Sequence, residues 1–229
     1  MHFGFYDGII AWLGLWGTYW WVYVYVLNPK GVDHLRHYLL SAVYFLLAAG
    51  SIIYLFNDYF SRLIIDGWNG EPIFWLILLC AFDVLAYHAL RRVRHGQRDF
   101  VDHHPHAEFL AINDRYLISK SAEIVFQQTL IILLALILQD AGLGLNGIRL
   151  MFAIVFTFAH LPILLIDGWG MGSFFVTAAA IASIFFPALI LNVQYGFIYS
   201  FMLHQVFYVV SGLTFWLYWG GREHLRLEH

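Results

Sequence analysis

Residues 117–138 read Leu117-Ile118-Ser119-Lys120-Ser121-Ala122-Glu123-Ile124-Val125-Phe126-Gln127-Gln128-Thr129, followed by an unbroken apolar run from Leu130 to Leu138. At 1.5 Å per residue a helix over this stretch is about 33 Å long, enough to cross the hydrocarbon of a bilayer. The same stretch carries a carboxylate, Glu123, inside the crossing. Those two features decide the fold class and open the question of function.

The rest of the chain agrees with a membrane setting. Of 229 residues, 61% are apolar and only 12% are Asp, Glu, Lys or Arg. A soluble domain sits near ~45–50% and ~25% respectively. Aromatic residues make up 19%, with 9 Trp and 14 Tyr, the types that settle at the lipid headgroup level. This composition excludes an ordinary water-soluble enzyme, a disordered chain and a nucleic-acid binder. A net charge of −3 offers no attraction to polyanions. The lone Cys80 has no partner for an intramolecular disulfide. Apolar residues run from Phe3 to Leu27 without a basic n-region or small-residue cleavage site, which predicts a retained helix.

Working outward from the 117–138 stretch, the apolar runs predict seven spans, at about 4–27, 38–57, 73–90, 117–138, 148–166, 171–192 and 196–219. The connection after Arg91 has room for an eighth helical element. The expected fold is all-α: a polytopic membrane helix bundle, one transmembrane domain over 1–226, with 227–229 resembling the start of an expression tag. Of the 12 basic residues, all but Arg62 and Arg149 fall on one side under this arrangement. They include Lys30, Arg36, the run Arg91-Arg92-Val93-Arg94, Arg98, Arg115, Lys120, Arg222 and Arg226. Basic residues collect on the cytoplasmic side, so the N-terminus is expected outside and the C-terminus inside. The basic run suits topology and contact with anionic lipid.

Leu63-Ile64-Ile65-Asp66-Gly67-Trp68 is echoed by Leu164-Leu165-Ile166-Asp167-Gly168-Trp169, on opposite faces in this topology. An inverted repeat would do this, and would raise a transporter reading. An interfacial turn with an acid, a flexible Gly and an anchoring Trp accounts for it more simply.

An ionisable group inside a membrane is costly and therefore a functional hypothesis. Asp83, Glu123, His160 and His204 qualify, with His88 near the end of the third span. Counting residues from the cytoplasmic ends puts Glu123 and His160 about 9 Å deep, Asp83 roughly 10 Å and His204 nearer ~22 Å. A buried polar cluster that locks helix packing is the plain reading, and Gln127 and Gln128 would suit it. A carboxylate and two imidazoles on separate helices also form a set fit for general acid–base chemistry.

These residues carry a resemblance. Ala122-Glu123-Ile124-Val125-Phe126-Gln127, then Phe156-Thr157-Phe158-Ala159-His160, then His204-Gln205-Val206-Phe207-Tyr208 are similar, in order and helix placement, to the three marks of the CPBP intramembrane protease family, which includes the CAAX prenyl endopeptidases. Those marks are Glu-Glu-x-x-x-Arg, Phe-x-x-x-His and His-x-x-x-Asn. Glu123, Phe156, His160 and His204 match; Ala122, Gln127 and Tyr208 stand where the family has Glu, Arg and Asn. The likeness covers about residues 117–210. It implies hydrolysis of a peptide bond in a membrane-associated peptide or protein substrate by a water activated by carboxylate and histidine. Glu123 would serve as base, or Asp83 in its place, His160 would polarise the water and His204 would stabilise the oxyanion. Tyr208, one turn after His204, would donate where Asn is expected. The departures at Ala122 and Tyr208 raise the alternative of a catalytically silent relative that binds a membrane partner, peptide or lipid.

The remaining histidines point to metal chemistry only weakly. His103, His104 and His106, with Asp102, occupy the longest polar loop, and His34 and His37 an earlier one. Imidazole and carboxylate take zinc or iron, and paired histidines loosely resemble the boxes of His-ligated membrane oxygenases. The regular set of several boxes is absent, so a solvated loop accounts for them better and no cofactor is required; zinc is the metal such ligands would admit. The expected partners are the lipid bilayer and a membrane-associated peptide or protein substrate, with no nucleic acid, in a bacterial or archaeal inner (plasma) membrane.

Overall fold

The computed structural model describes residues 4–63, 70–89, 112–166 and 168–216. Among these residues there is no strand, and seven helices are long and apolar enough to cross a membrane. They are α1 (Phe5–Trp21, its span continuing to Lys30), α2 (Tyr38–Leu55), α3 (Glu71–Ala89), α4 (Asp114–Asp140), α5 (Leu145–His160, its span continuing to Leu165), α6 (Gly168–Asn192) and α7 (Gly196–Phe215). The protein is an all-helical membrane bundle. His103, His104 and His106, the 91–94 basic run, Asp66-Gly67-Trp68 and Asp167 of the repeated hexapeptide, and residues 227–229 lie outside the described residues.

Local chemistry sets the ends of the elements. α1 runs on through a wide turn at Val22–Leu27 and a tight turn at Asn28–Lys30, and stops at Gly31, whose φ of 78° suits glycine. The Asn113 side chain accepts from the Tyr116 N–H at 2.9 Å and caps α4. The fifth span, expected unbroken over 148–166, ends as α5 at His160. Pro162 has no N–H to continue the helical ladder, so α5 ends and the chain resumes as a short turn at Ile163–Ile166. The α6–α7 connection is the tightest in the bundle. A Cβ on Gly196 would lie 1.7 Å from the Leu189 carbonyl oxygen, so only glycine fits.

α4 is the axis of the fold. It is 27 residues long and packs against α1, α2, α5, α6 and α7, while α3 lies outside and leans on α7. From Leu130 to Leu138 nearly every side chain is buried, which is what a helix apolar on all faces requires. The outer helices turn Leu47, Tyr54, Ile77 and Leu85 outward, a surface suited to lipid tails. Lipid is as apolar as leucine, so packing and interhelical hydrogen bonds hold the helices together. Trp12 Nε1 donates to the Leu130 carbonyl at 2.7 Å, tying α1 to α4. Trp20, Tyr23, Phe45 and Phe126 meet ring to ring between α1, α2 and α4.

Candidate functional site

The first turns of α4 carry Ser119, Lys120 and Glu123 into the protein rather than out of it. Lys120 is 5% exposed and Glu123 2%. Lys120 Nζ donates to Glu123 Oε1 at 2.6 Å, one turn along the same helix, and Gln127 Nε2 donates to the same oxygen at 2.6 Å. The other carboxylate oxygen takes His34 Nε2 at 2.9 Å. Each oxygen of the buried carboxylate therefore has a donor, as an ion inside low-dielectric surroundings needs.

His34 reaches this site from the α1–α2 connection. Asp33 Oδ1 accepts from the Leu35 N–H at 2.8 Å and also from the Arg36 N–H, a local turn that fixes the backbone around His34. The imidazole then lies flat on Phe45, with interplanar angle 6°, and edge-on to Tyr116. Since Nε2 faces a carboxylate it carries the hydrogen, and Nδ1 meets Ser119 Oγ at 2.7 Å. Ser119, His34 and Glu123 thus stand in the hydrogen-bond order of a nucleophile, base and orienting acid. Ser119 is 0% exposed, however, and Lys120 already neutralises the carboxylate, so the chain acts as a lock between loop and helix.

Lys120, counted from the sequence among the basic residues of the cytoplasmic side, is also buried as the partner of Glu123. Lys120 is the cation of the site. Lys120 stands one turn before Glu123 and pairs with it. The ammonium also lies 4.1 Å from the centre of the Tyr208 ring, a cation–π contact across α4 and α7. Tyr208, expected to donate a hydrogen bond, serves first as this aromatic face. His34 and His37, read as a loose pair, separate: His34 is buried and His37 exposed. Among the described residues no three His, Cys, Asp or Glu side chains converge as a metal set.

His160 and His204 stand on α5 and α7, two helices packed against α4, and both are half-buried. His160, last residue of α5, donates from Nδ1 to the Phe156 carbonyl at 2.7 Å, leaving Nε2 as its lone-pair nitrogen. Its ring packs on Trp16 and Phe156. His204 Nδ1 meets Gln128 Oε1 at 3.4 Å, and Gln128 is held in turn by Ser200. His204 lies within electrostatic reach of Lys120, Glu123 and His160. α4 begins at Asp114, three residues before the expected start, so Glu123 lies deeper along its helix.

Asp83 stands apart from Glu123. Its Oδ2 accepts from Gln205 Nε2 at 3.2 Å, and Gln205 also reaches Ser121 Oγ at 3.1 Å. Of the five sequence candidates, Tyr208 links His204 to Lys120, the partner of Glu123; His160 packs on Trp16 and Phe156, and Asp83 forms a second polar contact between α3, α4 and α7.

Fold and interior define a class: a polytopic helical membrane protein with a buried ion pair and two half-buried histidines on the helices around it. No family, curated protein or solved structure matches the chain.

Proposed function

We propose that the protein is an intramembrane hydrolase that cleaves a peptide bond of a membrane-associated substrate, resembling the CPBP proteases but with the acid–base work moved to the imidazoles. One observation carries this reading: the Lys120 ammonium on α4 lies 4.1 Å from the Tyr208 ring on α7, and that ring stands 5.4 Å from the His204 imidazole one turn away. The Nδ1–H of His160 is committed to a backbone carbonyl, so its Nε2 is the atom able to take a proton from water. The resulting hydroxide adds to the substrate carbonyl carbon, and the oxyanion develops beside the positive charge of Lys120 and near His204. Proton return to the leaving nitrogen completes cleavage. In this scheme Glu123 is a positioning residue that holds Lys120; its oxygens are occupied by Lys120, Gln127 and His34.

That occupancy favours a second reading, a catalytically silent relative that binds a membrane partner, peptide or lipid. With Ala122 at the family's first glutamate position, no free carboxylate faces the histidines on α4. The two readings separate on His160→Ala and His204→Ala in folded protein. Hydrolysis predicts that each variant loses cleavage of a membrane peptide by at least ~10²-fold, the usual contribution of a positioned acid–base group. Unchanged cleavage in both variants removes the first reading.

A further inference from the structure

The Asp83–Gln205 contact lies outside the proposed catalytic neighbourhood and does not depend on it. Gln205 is 2% exposed, and its Nε2 is spent on Asp83 Oδ2 and Ser121 Oγ. Two buried oxygens of this contact, Asp83 Oδ1 and Gln205 Oε1, have no hydrogen-bond partner among the described residues. Both are acceptors. A buried acceptor without a donor costs about 1–3 kcal/mol, and more when it belongs to a charged carboxylate in a membrane. What the pair lacks is positive charge or a donated hydrogen, and both oxygens lack the same thing.

The charged and titratable groups on the surrounding helices are directed elsewhere. On α4, Lys120 and Glu123 hold each other, and Arg115 reaches the Leu35 carbonyl and the Tyr38 ring. On α7, His204 faces Gln128, Tyr208 faces Lys120, and Tyr199 donates to Glu71 at the far end of α3. On α3 itself, Tyr87 and His88 lie against each other beyond Asp83. Among the described residues, Gln205 is the side chain that bonds Asp83.

We propose that Asp83 and Gln205 form a buried binding site for a small monovalent cation, H⁺ or Na⁺, seated between Asp83 Oδ1 and Gln205 Oε1 with Ser121 Oγ as a neighbouring oxygen. A proton on Oδ1 gives the acid a donor for the glutamine carbonyl while the glutamine NH₂ keeps its bond to Oδ2, a paired acid–amide. Sodium in the same place takes carboxylate, amide and hydroxyl oxygens, the hard ligands such a cation prefers. Either ion neutralises an intramembrane carboxylate that no protein cation reaches among the described residues.

Thermal unfolding of the purified full chain in detergent tests this, because an ion that binds only the folded state raises its Tm. Wild type, Asp83→Asn and Gln205→Glu are compared in NaCl against choline chloride at constant ionic strength, and across a pH series. Asn places an NH₂ where the ion sat, so D83N is expected to fold, with a Tm at or above wild type and without the wild-type response. Q205E adds a second carboxylate and is expected to respond more steeply than wild type. An upward shift with Na⁺ over choline, lost in D83N, assigns sodium. A shift on acidification that D83N lacks, with no preference for Na⁺, assigns the proton. Equal responses of wild type and D83N to both Na⁺ and pH, or a Q205E response no steeper than wild type, would overturn the site.

Discussion

Lys120 and Glu123 are the residues whose separate removal the protein should tolerate least. Lys120→Met leaves a buried carboxylate held by His34 and Gln127 alone, and Glu123→Gln leaves a buried ammonium; each is expected to cost about 3–5 kcal/mol. The double variant K120M/E123Q removes both charges and should recover most of that loss, which thermal unfolding in detergent will show as strong coupling. Additive losses would mean the two charges act independently. His34→Ala leaves Ser119 and one carboxylate oxygen without partners, with an expected cost of about 1–3 kcal/mol. Glu123, His160 and His204 were legible in the sequence because ionisable residues are rare in apolar helices. The burial of Lys120 was not legible, because it sits near a span boundary, where a basic residue has an ordinary topological reason to be. His34 offered no local signal at all: its burial depends on the Asp33 turn and on a carboxylate far away in sequence.

The elements themselves follow from apolar run length, and all seven spans stand within a few residues of their expected places. What run length cannot show is where a helix breaks, and the Leu161–Pro162 interruption is decided by proline chemistry. Gly196 is another such point. Gly196→Ala brings a methyl carbon onto the Leu189 carbonyl, so the α6–α7 turn must open, and the variant is expected to yield little folded protein by size-exclusion chromatography. Normal yield and Tm would show that the turn relaxes freely. At the other end of α4, Asp140 accepts from Arg62, which raises the Arg62 guanidinium above its ordinary range. A cation raised in this way contributes its stabilisation fully below its unfolded value and loses it only as pH climbs through the higher folded one. Through neutral and moderately alkaline pH this link is therefore constant. It is exposed and salt-screened, so Arg62→Ala should change Tm little, and less still in high salt.

For the whole molecule, the sequence predicts the N-terminus outside and the C-terminus in the cytoplasm, from the placement of basic residues. Lys120 is buried in the folded protein yet stands at that same end of α4, and the bias is large. Reporter fusions at the two termini should give opposite accessibility, and equal accessibility would contradict an odd number of spans. The arrangement of helices around α4 was not legible in the sequence, because every span is apolar and lipid contact resembles protein contact in composition. The proposed function rests on that arrangement, since only packing brings Tyr208 and His204 of α7 up to Lys120 of α4. The most direct measurement is a comparison of membrane-peptide termini in cells carrying wild type or the His160→Ala/His204→Ala variant, with folding of the variant checked by its Tm. The account predicts a set of termini present with wild type and lost with the variant; identical termini from a folded variant would contradict it.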